Sequence, residues 1–174
     1  MTAVQERKLQ RHFELLDLDQ NGFIEQADLA EFAGRINDAA GARDSREGMA
    51  LIAEADRVWQ ALQKALDTDG DQRISREEFI SAGDIDHVMN EAIKLGKMSF
   101  DVVDSDHDGR ISLDEWIRMD QKLGVARPES TKGFQQLDMD GDGFVTKSEY
   151  AKGVEDFYRS DDPQAPGNWA FGAF

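Results

Sequence analysis

Four stretches of this chain place carboxylates at the spacing that a hard divalent cation needs. The string Asp-x-Asp-x-[Asp/Asn]-x-x-[Ile/Val]-x-x-x-[Asp/Glu] starts at Asp17, Asp67, Asp104 and Asp138. A twelve-residue loop of this form brings oxygens from positions 1, 3, 5, 7, 9 and 12 to one point, which is the coordination calcium takes. One such string arises by chance in an acidic protein, but four copies in one register form a repeat.

The third loop, DSDHDGRISLDE, meets every requirement. Its expected ligands are Asp104, Asp106, Asp108, the backbone carbonyl of Arg110 and Glu115, with Ser112 acting directly or through water. Gly109 at position 6 permits the positive φ that turns the chain back around the ion. The fourth loop, DMDGDGFVTKSE, supplies Asp138, Asp140, Asp142, the Phe144 carbonyl, Thr146 through water, and Glu149. The first, DLDQNGFIEQAD, supplies Asp17, Asp19, Asn21 and the Phe23 carbonyl but closes on Asp28. That carboxylate is one methylene short of glutamate and reaches an ion less readily with both oxygens. Lower coordination in a tighter cavity favours magnesium, while Glu25 at position 9 adds a charge. The second loop, DTDGDQRISREE, keeps Asp67, Asp69, Asp71, the Arg73 carbonyl and Glu78, yet places Gln72 where glycine is wanted. A left-handed non-glycine residue there costs about 1 kcal/mol, so this site is expected to bind more weakly without being lost.

Such loops need an entering and a leaving helix, and apolar spacing supplies both. Phe13, Gln63, Phe100 and Phe134 stand four residues before the loops; Leu16, Leu66, Val103 and Leu137 stand one before; Leu29, Phe79, Trp116 and Tyr150 follow them. The spacing predicts inward helix faces through Leu9, Phe13 and Leu16, through Leu29, Phe32, Ala33, Ile36 and Ala40, and through Ile52, Ala55, Val58, Trp59, Leu62 and Leu66. Val88, Ala92, Ile93, Phe100 and Val103 line the helix entering loop three. Pro128 starts the last entering helix, and residues 41–48 read as a polar turn. The β-branched residue at position 8 of each loop (Ile24, Ile74, Ile111, Val145) suits short two-stranded pairing between neighbouring loops. Gly83 interrupts the pattern before Asp84 can cap a new helix, which disfavours a continuous central rod, and Gly96 is read as a bend. The expected fold is all-α: four helix–loop–helix units in two pairs, 1–83 and 84–159, packed into one domain. The tail, 160–174, carries Trp169, Phe171 and Phe174 behind a Pro/Gly spacer; fraying is one reading, docking on the body the favoured one.

The 20 basic and 36 acidic residues leave a net charge of −16, much of it in the loops, so nucleic acid and anionic membrane are not expected partners. Without cysteine there is no disulfide, zinc–thiolate site or thiol nucleophile. No stretch has the length of a membrane span, the start is charged and amphipathic, and Met-Thr does not permit myristoylation, so a cytoplasmic monomer is expected. The acid pairs Glu77–Glu78 and Asp114–Glu115 end ion loops, and no activated nucleophile accompanies them, so an enzyme is not expected. His107 reads as a solvated loop residue, His12 and His87 as surface or packing residues, and Trp59, Trp116 and Trp169 as core in preference to a ligand pocket.

With loops and flanks together, the chain is identified as a member of the EF-hand family, and its arrangement resembles the calerythrin-like and sarcoplasmic calcium-binding proteins over essentially its whole length. The features that carry the narrower resemblance are Asp28 closing loop one, the 50-residue spacing of the first two loops, and the irregular second hand. In such proteins the second hand is silent, but Asp67, Asp69, Asp71 and Glu78 here keep it an expected binder. The resemblance implies a calcium buffer with magnesium competing. A sensor that exposes a groove to a protein target and a small-molecule carrier of the photoprotein kind remain as alternatives; the scattered methionines and the few His and Tyr count against them.

Overall fold

The computed structural model of the protein describes residues 2–81, 85–169 and 171. Every loop is flanked by helices: α1 (Ala3–Leu16) and α2 (Gln26–Ala40), α3 (Arg46–Leu66) and α4 (Arg76–Ser81), α5 (Ile85–Val103) and α6 (Leu113–Lys122), α7 (Arg127–Leu137) and α8 (Lys147–Arg159). Between the members of each pair lies a short strand: β1 (Phe23–Ile24), β2 (Ile74–Ser75), β3 (Arg110–Ser112) and β4 (Phe144–Thr146). β1 pairs antiparallel with β2, setting Ile24 opposite Ile74, and β3 with β4, setting Ile111 opposite Val145. These four position-8 residues are buried, so each two-stranded pairing ties two loops back to back over one apolar contact.

The helices begin where local chemistry stops the preceding segment. Thr2 and Gln5 form a capping box ahead of α1, and Ser45 caps α3 through the Gly48 N–H. Gly41, at φ 66°, closes α2 in a left-handed conformation, which sets the polar turn between α2 and α3. Packing then joins the two pairs: α3 lies against α5, α2 against both α3 and α6, and α8 against α5. The core so formed includes Phe13, Leu29, Ile36, Leu51, Phe79, Phe100, Leu137 and Phe157. The halves are therefore folded on one another, as the broken central pattern predicts. The Gly83–Asp84 break itself lies outside the described residues.

Two expectations are corrected. Ile52 is not on the inner face of α3; it is 46% exposed, and Leu51 is fully buried instead. The face actually runs Leu51, Ala55, Val58, Trp59, Leu62, Leu66, so Ile52 sits about 70° from its centre, just past the edge marked by Trp59. Gly96 lies inside an unbroken α5, and what requires it is the Tyr150 ring of α8, which stands where a Cβ at 96 would be.

The tail runs back over the body. A 3-10 turn at Pro166–Trp169 packs against α7 and α8. Phe171 stacks on His12 of α1 with ring centres 4.3 Å apart, and Arg11 Nε donates to the Phe171 carbonyl at 3.1 Å. Phe174 lies outside the described residues. No helix among the described residues is long and apolar enough to cross a membrane.

Candidate metal centres

Each loop starts as the C-terminal end of one helix and ends as the first turn of the next, and this double duty builds the site. Position 9 is the residue that precedes the leaving helix, and position 12 is the third residue inside it. In every loop the position-12 carboxylate accepts the N–H of position 9: Asp28 from Glu25 (2.9 Å), Glu78 from Ser75 (2.9 Å), Glu115 from Ser112 (2.9 Å) and Glu149 from Thr146 (2.8 Å). Its other oxygen accepts the N–H of position 2: Leu18 (3.0 Å), Thr68 (2.8 Å), Ser105 (2.9 Å) and Met139 (3.0 Å). One carboxylate thus caps a helix and pins the loop's entrance to its exit. Both Asp28 oxygens keep a lone pair to offer an ion. In the other loops hydroxyls also donate to the Glu oxygens, Thr68 and Ser75 to Glu78, Ser105 and Ser112 to Glu115, and Thr146 to Glu149, and these must turn away for an ion to bind.

The other acidic positions are held by the loop's own amides. Asp17, Asp104 and Asp138 each accept from positions 5 and 6, at 2.9–3.1 Å. Asp67 instead accepts from Gly70 at position 4 (2.7 Å) and from Gln72 (3.0 Å). At position 3, Asp19, Asp69, Asp106 and Asp140 accept from position 5; at position 5, Asn21, Asp71, Asp108 and Asp142 accept from position 7. The result is four clusters whose oxygens lie within 4.8 Å of one another: Asp17–Asp19–Asp28, Asp67–Asp69–Asp71, Asp104–Asp106–Asp108 and Asp138–Asp140–Glu149. Oxygen-only donor sets of this density fit calcium or magnesium and do not fit the softer metals that seek nitrogen or sulfur. Of the carbonyl donors expected at position 7, those of Phe23, Arg110 and Phe144 open β1, β3 and β4, and that of Arg73 immediately precedes β2.

The electrostatics separate the position-12 acid of loop one from those of the other three loops. Burial raises the pKa of Asp28, against the N–H bonds from Glu25 and Leu18, and Asp19 and Asp17 add repulsion. Glu78 is pulled down to about 2, chiefly by the Ser75 N–H, with Thr68 adding to it and burial opposing. Burial also works against Glu115 and Glu149, yet the bonds from Ser112 and Ser105, and from Thr146 and Met139, outweigh it and hold both below the usual range. Asp104, at position 1 of loop three, is raised by burial.

Two features of the loops escape a reading by spacing. The chain turns left-handed twice per loop, at position 4 as well as position 6. Gly141 and Gly143 fill both places in loop four, but Gln20 (φ 60°), Gln72 (φ 67°) and His107 (φ 58°) are non-glycine residues in that region. Gln72 is strained as expected, but loops one and three each carry one such residue as well. Only its position, and the shifted bonds of Asp67, distinguish loop two. The second feature is position 7, where the ligand is a backbone carbonyl and the loop pattern leaves the residue type open. Arg73 lies over the Phe23 ring of the paired loop at 3.9 Å, and Arg110 over the Phe144 ring at 3.9 Å. Each also binds its own position-5 acid, Asp71 at 2.7 Å and Asp108 at 3.1 Å. A cross-strand Arg–Phe stack next to both ion sites is legible only once the register of the strands is known.

The family model of an EF-hand domain pair matches this chain twice, over residues 6–82 and 94–155. The chain is an EF-hand protein. It is 26% identical to calerythrin of Saccharopolyspora erythraea over 170 residues, covering 90% of this chain and 93% of that one. A calcium-binding protein of Streptomyces coelicolor, described in terms of prokaryotic calcium-mediated regulation, is 30% identical with a TM-score of 0.79, covering 88% of this chain and 97% of that one. A sarcoplasmic calcium-binding protein from amphioxus shares the fold at 16% identity, with a TM-score of 0.77 over 100% and 99% of the two chains. Calcium binding through EF-hands is what this chain has in common with calerythrin and the Streptomyces coelicolor protein.

Proposed function

We propose that this protein is a cytoplasmic, monomeric calcium buffer in which three or four of the loops take an ion, loop two the most weakly, and magnesium competes at loop one. The ligands are those named from the sequence, with the position-7 carbonyls of Phe23, Arg73, Arg110 and Phe144 completing the carboxylate clusters. The units are the hand pairs 1–83 and 84–159, with 160–174 a docked tail. The observation that carries this reading is the covered apolar surface. Leu29, Phe79 and Trp116, which follow loops one to three, are buried in the core, Phe171 of the tail packs against that core, and Trp169 lies beside Trp116 along the same pocket. A buffer needs sites with no surface to display, and this packing provides that. Crowded carboxylates repel one another, so ion binding relieves charge and adds to folding stability.

The experiment is calorimetric titration with calcium, with and without magnesium. Three or four equivalents are expected, with one class strongly reduced in affinity by magnesium. In Asp28→Glu, that class should lose its magnesium sensitivity, because the longer side chain offers calcium both oxygens. A stoichiometry of two or fewer overturns the proposal.

The relation to the Streptomyces coelicolor protein supports a second reading, a sensor whose calcium-bound form recruits a protein. A dye for exposed apolar surface separates the two. A large calcium-induced rise in its fluorescence favours the sensor and sinks the buffer.

A further inference from the structure

The position-12 carboxylates differ in how many donors already hold them. In loops two and three each oxygen accepts twice. Glu78 Oε1 takes the N–H and the hydroxyl of Thr68 at 2.8 and 2.9 Å, and Oε2 takes those of Ser75, both at 2.9 Å. Glu115 is held in the same way, by Ser105 at 2.9 and 2.7 Å and by Ser112 at 2.9 and 2.8 Å. A carboxylate offers about four lone-pair sites, so these donors use them all. Calcium taken by both oxygens of position 12 needs one site on each. The backbone N–H groups are fixed by the helix cap and the loop entrance, so it is the hydroxyls that must give way.

The two hydroxyls of a loop are not equivalent. That of position 9 stands where the loop pattern puts a ligand, so on turning it exchanges the glutamate for the ion or the ion's water. That of position 2 has no place in the coordination shell. Thr68 and Ser105 are exposed, so their hydroxyls would turn to bulk water and give up a hydrogen bond to a charged acceptor. Loops one and four are built without this competitor: Leu18 and Met139 occupy position 2 and reach Asp28 and Glu149 through their backbone N–H groups. We propose that the position-2 hydroxyls of Thr68 and Ser105 determine calcium affinity, competing with the ion for Glu78 and Glu115 and so weakening loops two and three. This rests on the reading of the loops as calcium sites and is indifferent to whether the protein is a buffer or a sensor. Loop three also carries Arg110 on Asp108, so the decisive comparison is between variants of one loop.

Calcium titration followed in amide proton–nitrogen spectra reads the loops one by one. The position-6 N–H groups of Gly22, Gln72, Gly109 and Gly143 each donate to the first acid of their own loop and report on it separately. In Ser105→Ala the affinity of loop three should rise about two- to tenfold, and Thr68→Val should do the same for loop two. Ser105→Thr keeps the hydroxyl and should titrate like the parent. Met139→Ser brings the donor into loop four and should lower its affinity by a similar factor. A matching loss should appear without the ion: Ser105→Ala should be less stable to urea than the parent in chelator, and equal to it in saturating calcium. An unchanged or lower affinity of loop three in Ser105→Ala overturns the proposal, as does a gain that Ser105→Thr shares. Three or four equivalents with unchanged affinities refute the competition alone. Two or fewer in the parent and in both hydroxyl-free variants refute the calcium reading and the competition with it.

Discussion

At the scale of single residues, the loops could be read from spacing because their ligand chemistry is tied to position. Asp at 1 and 3 and an acid at 12 can be recognised without a fold. The structure clusters the acids of positions 1 and 3 in all four loops, joined by Asp28 and Glu149 of position 12 in loops one and four and by Asp71 and Asp108 of position 5 in loops two and three. Backbone conformation leaves a weaker mark. The second left-handed turn, at position 4, went unread because Gln20 and His107 do not announce it as glycine would. His107 is the cheaper of the two, since histidine is among the side chains that enter this region more readily. The strain has a measurable consequence. Gln72 is held at φ 67° with its N–H donated to Asp67 at 3.0 Å, so the strain belongs to the closed loop. Gln72→Gly should therefore raise folding stability in calcium by about 0.5–1 kcal/mol. Gly143→Gln, at the equivalent place in loop four, should lower stability by a similar amount. Urea denaturation in calcium measures both. Equal stability of Gln72→Gly and the parent would remove the strain argument, and an affinity gain alone would mean that the loop relaxes when empty.

Elements were legible where apolar periodicity is strict and less so where two neighbouring apolar residues compete. Leu51 and Ile52 are equally good candidates for the inner face of α3, and only the packing of α3 on α5 and α2 decides for Leu51. Glycine inside a helix is ambiguous in the same way, since it serves a bend, a close approach or nothing. Gly96 and Gly34 separate these cases. The Tyr150 ring occupies the space of a Cβ at 96, whereas nothing lies within 4 Å of one at 34. Gly96→Ala must push α5 and α8 apart or expel a partly buried ring, and should destabilise the protein by about 1–3 kcal/mol. Gly34→Ala, in the middle of α2, should stabilise it by about 0.5–1 kcal/mol through helix propensity and a less flexible unfolded chain. Thermal unfolding in calcium distinguishes them. Opposite signs are expected, and a neutral Gly96→Ala would show that α5 and α8 can separate at no cost.

For the molecule as a whole, charge counting saw the loops but not the interior. Asp120 reads as one more acid on a polar helix, and His12 as a lone histidine; nothing in the spacing shows that both end up in the core. Burial holds His12 near a pKa of about 3, and raises Asp120 to about 6, with the Ser130 and Trp116 donors acting in the other direction. The two groups then tilt stability in opposite senses. His12 is protonated more readily in the unfolded chain, so its contribution is intact above pH 6.5 and is lost as the pH falls towards 3. Asp120 binds its proton more readily in the folded state, so it weakens the fold above pH 6 and ceases to do so as the pH falls below about 4. Asp120→Asn removes only the second effect. Its stability advantage over the parent should be largest near pH 7.5, on the order of 1–3 kcal/mol, and should shrink towards zero near pH 4. Both proteins carry the same ion loops and the same His12, so those contributions cancel in the difference, and urea titrations at matched calcium and pH read it directly. An advantage that stays constant between pH 7.5 and 4 would mean that Asp120 keeps an ordinary carboxylate pKa in the folded protein, and one that grows as the pH falls would mean that its donors outweigh burial and lower that pKa.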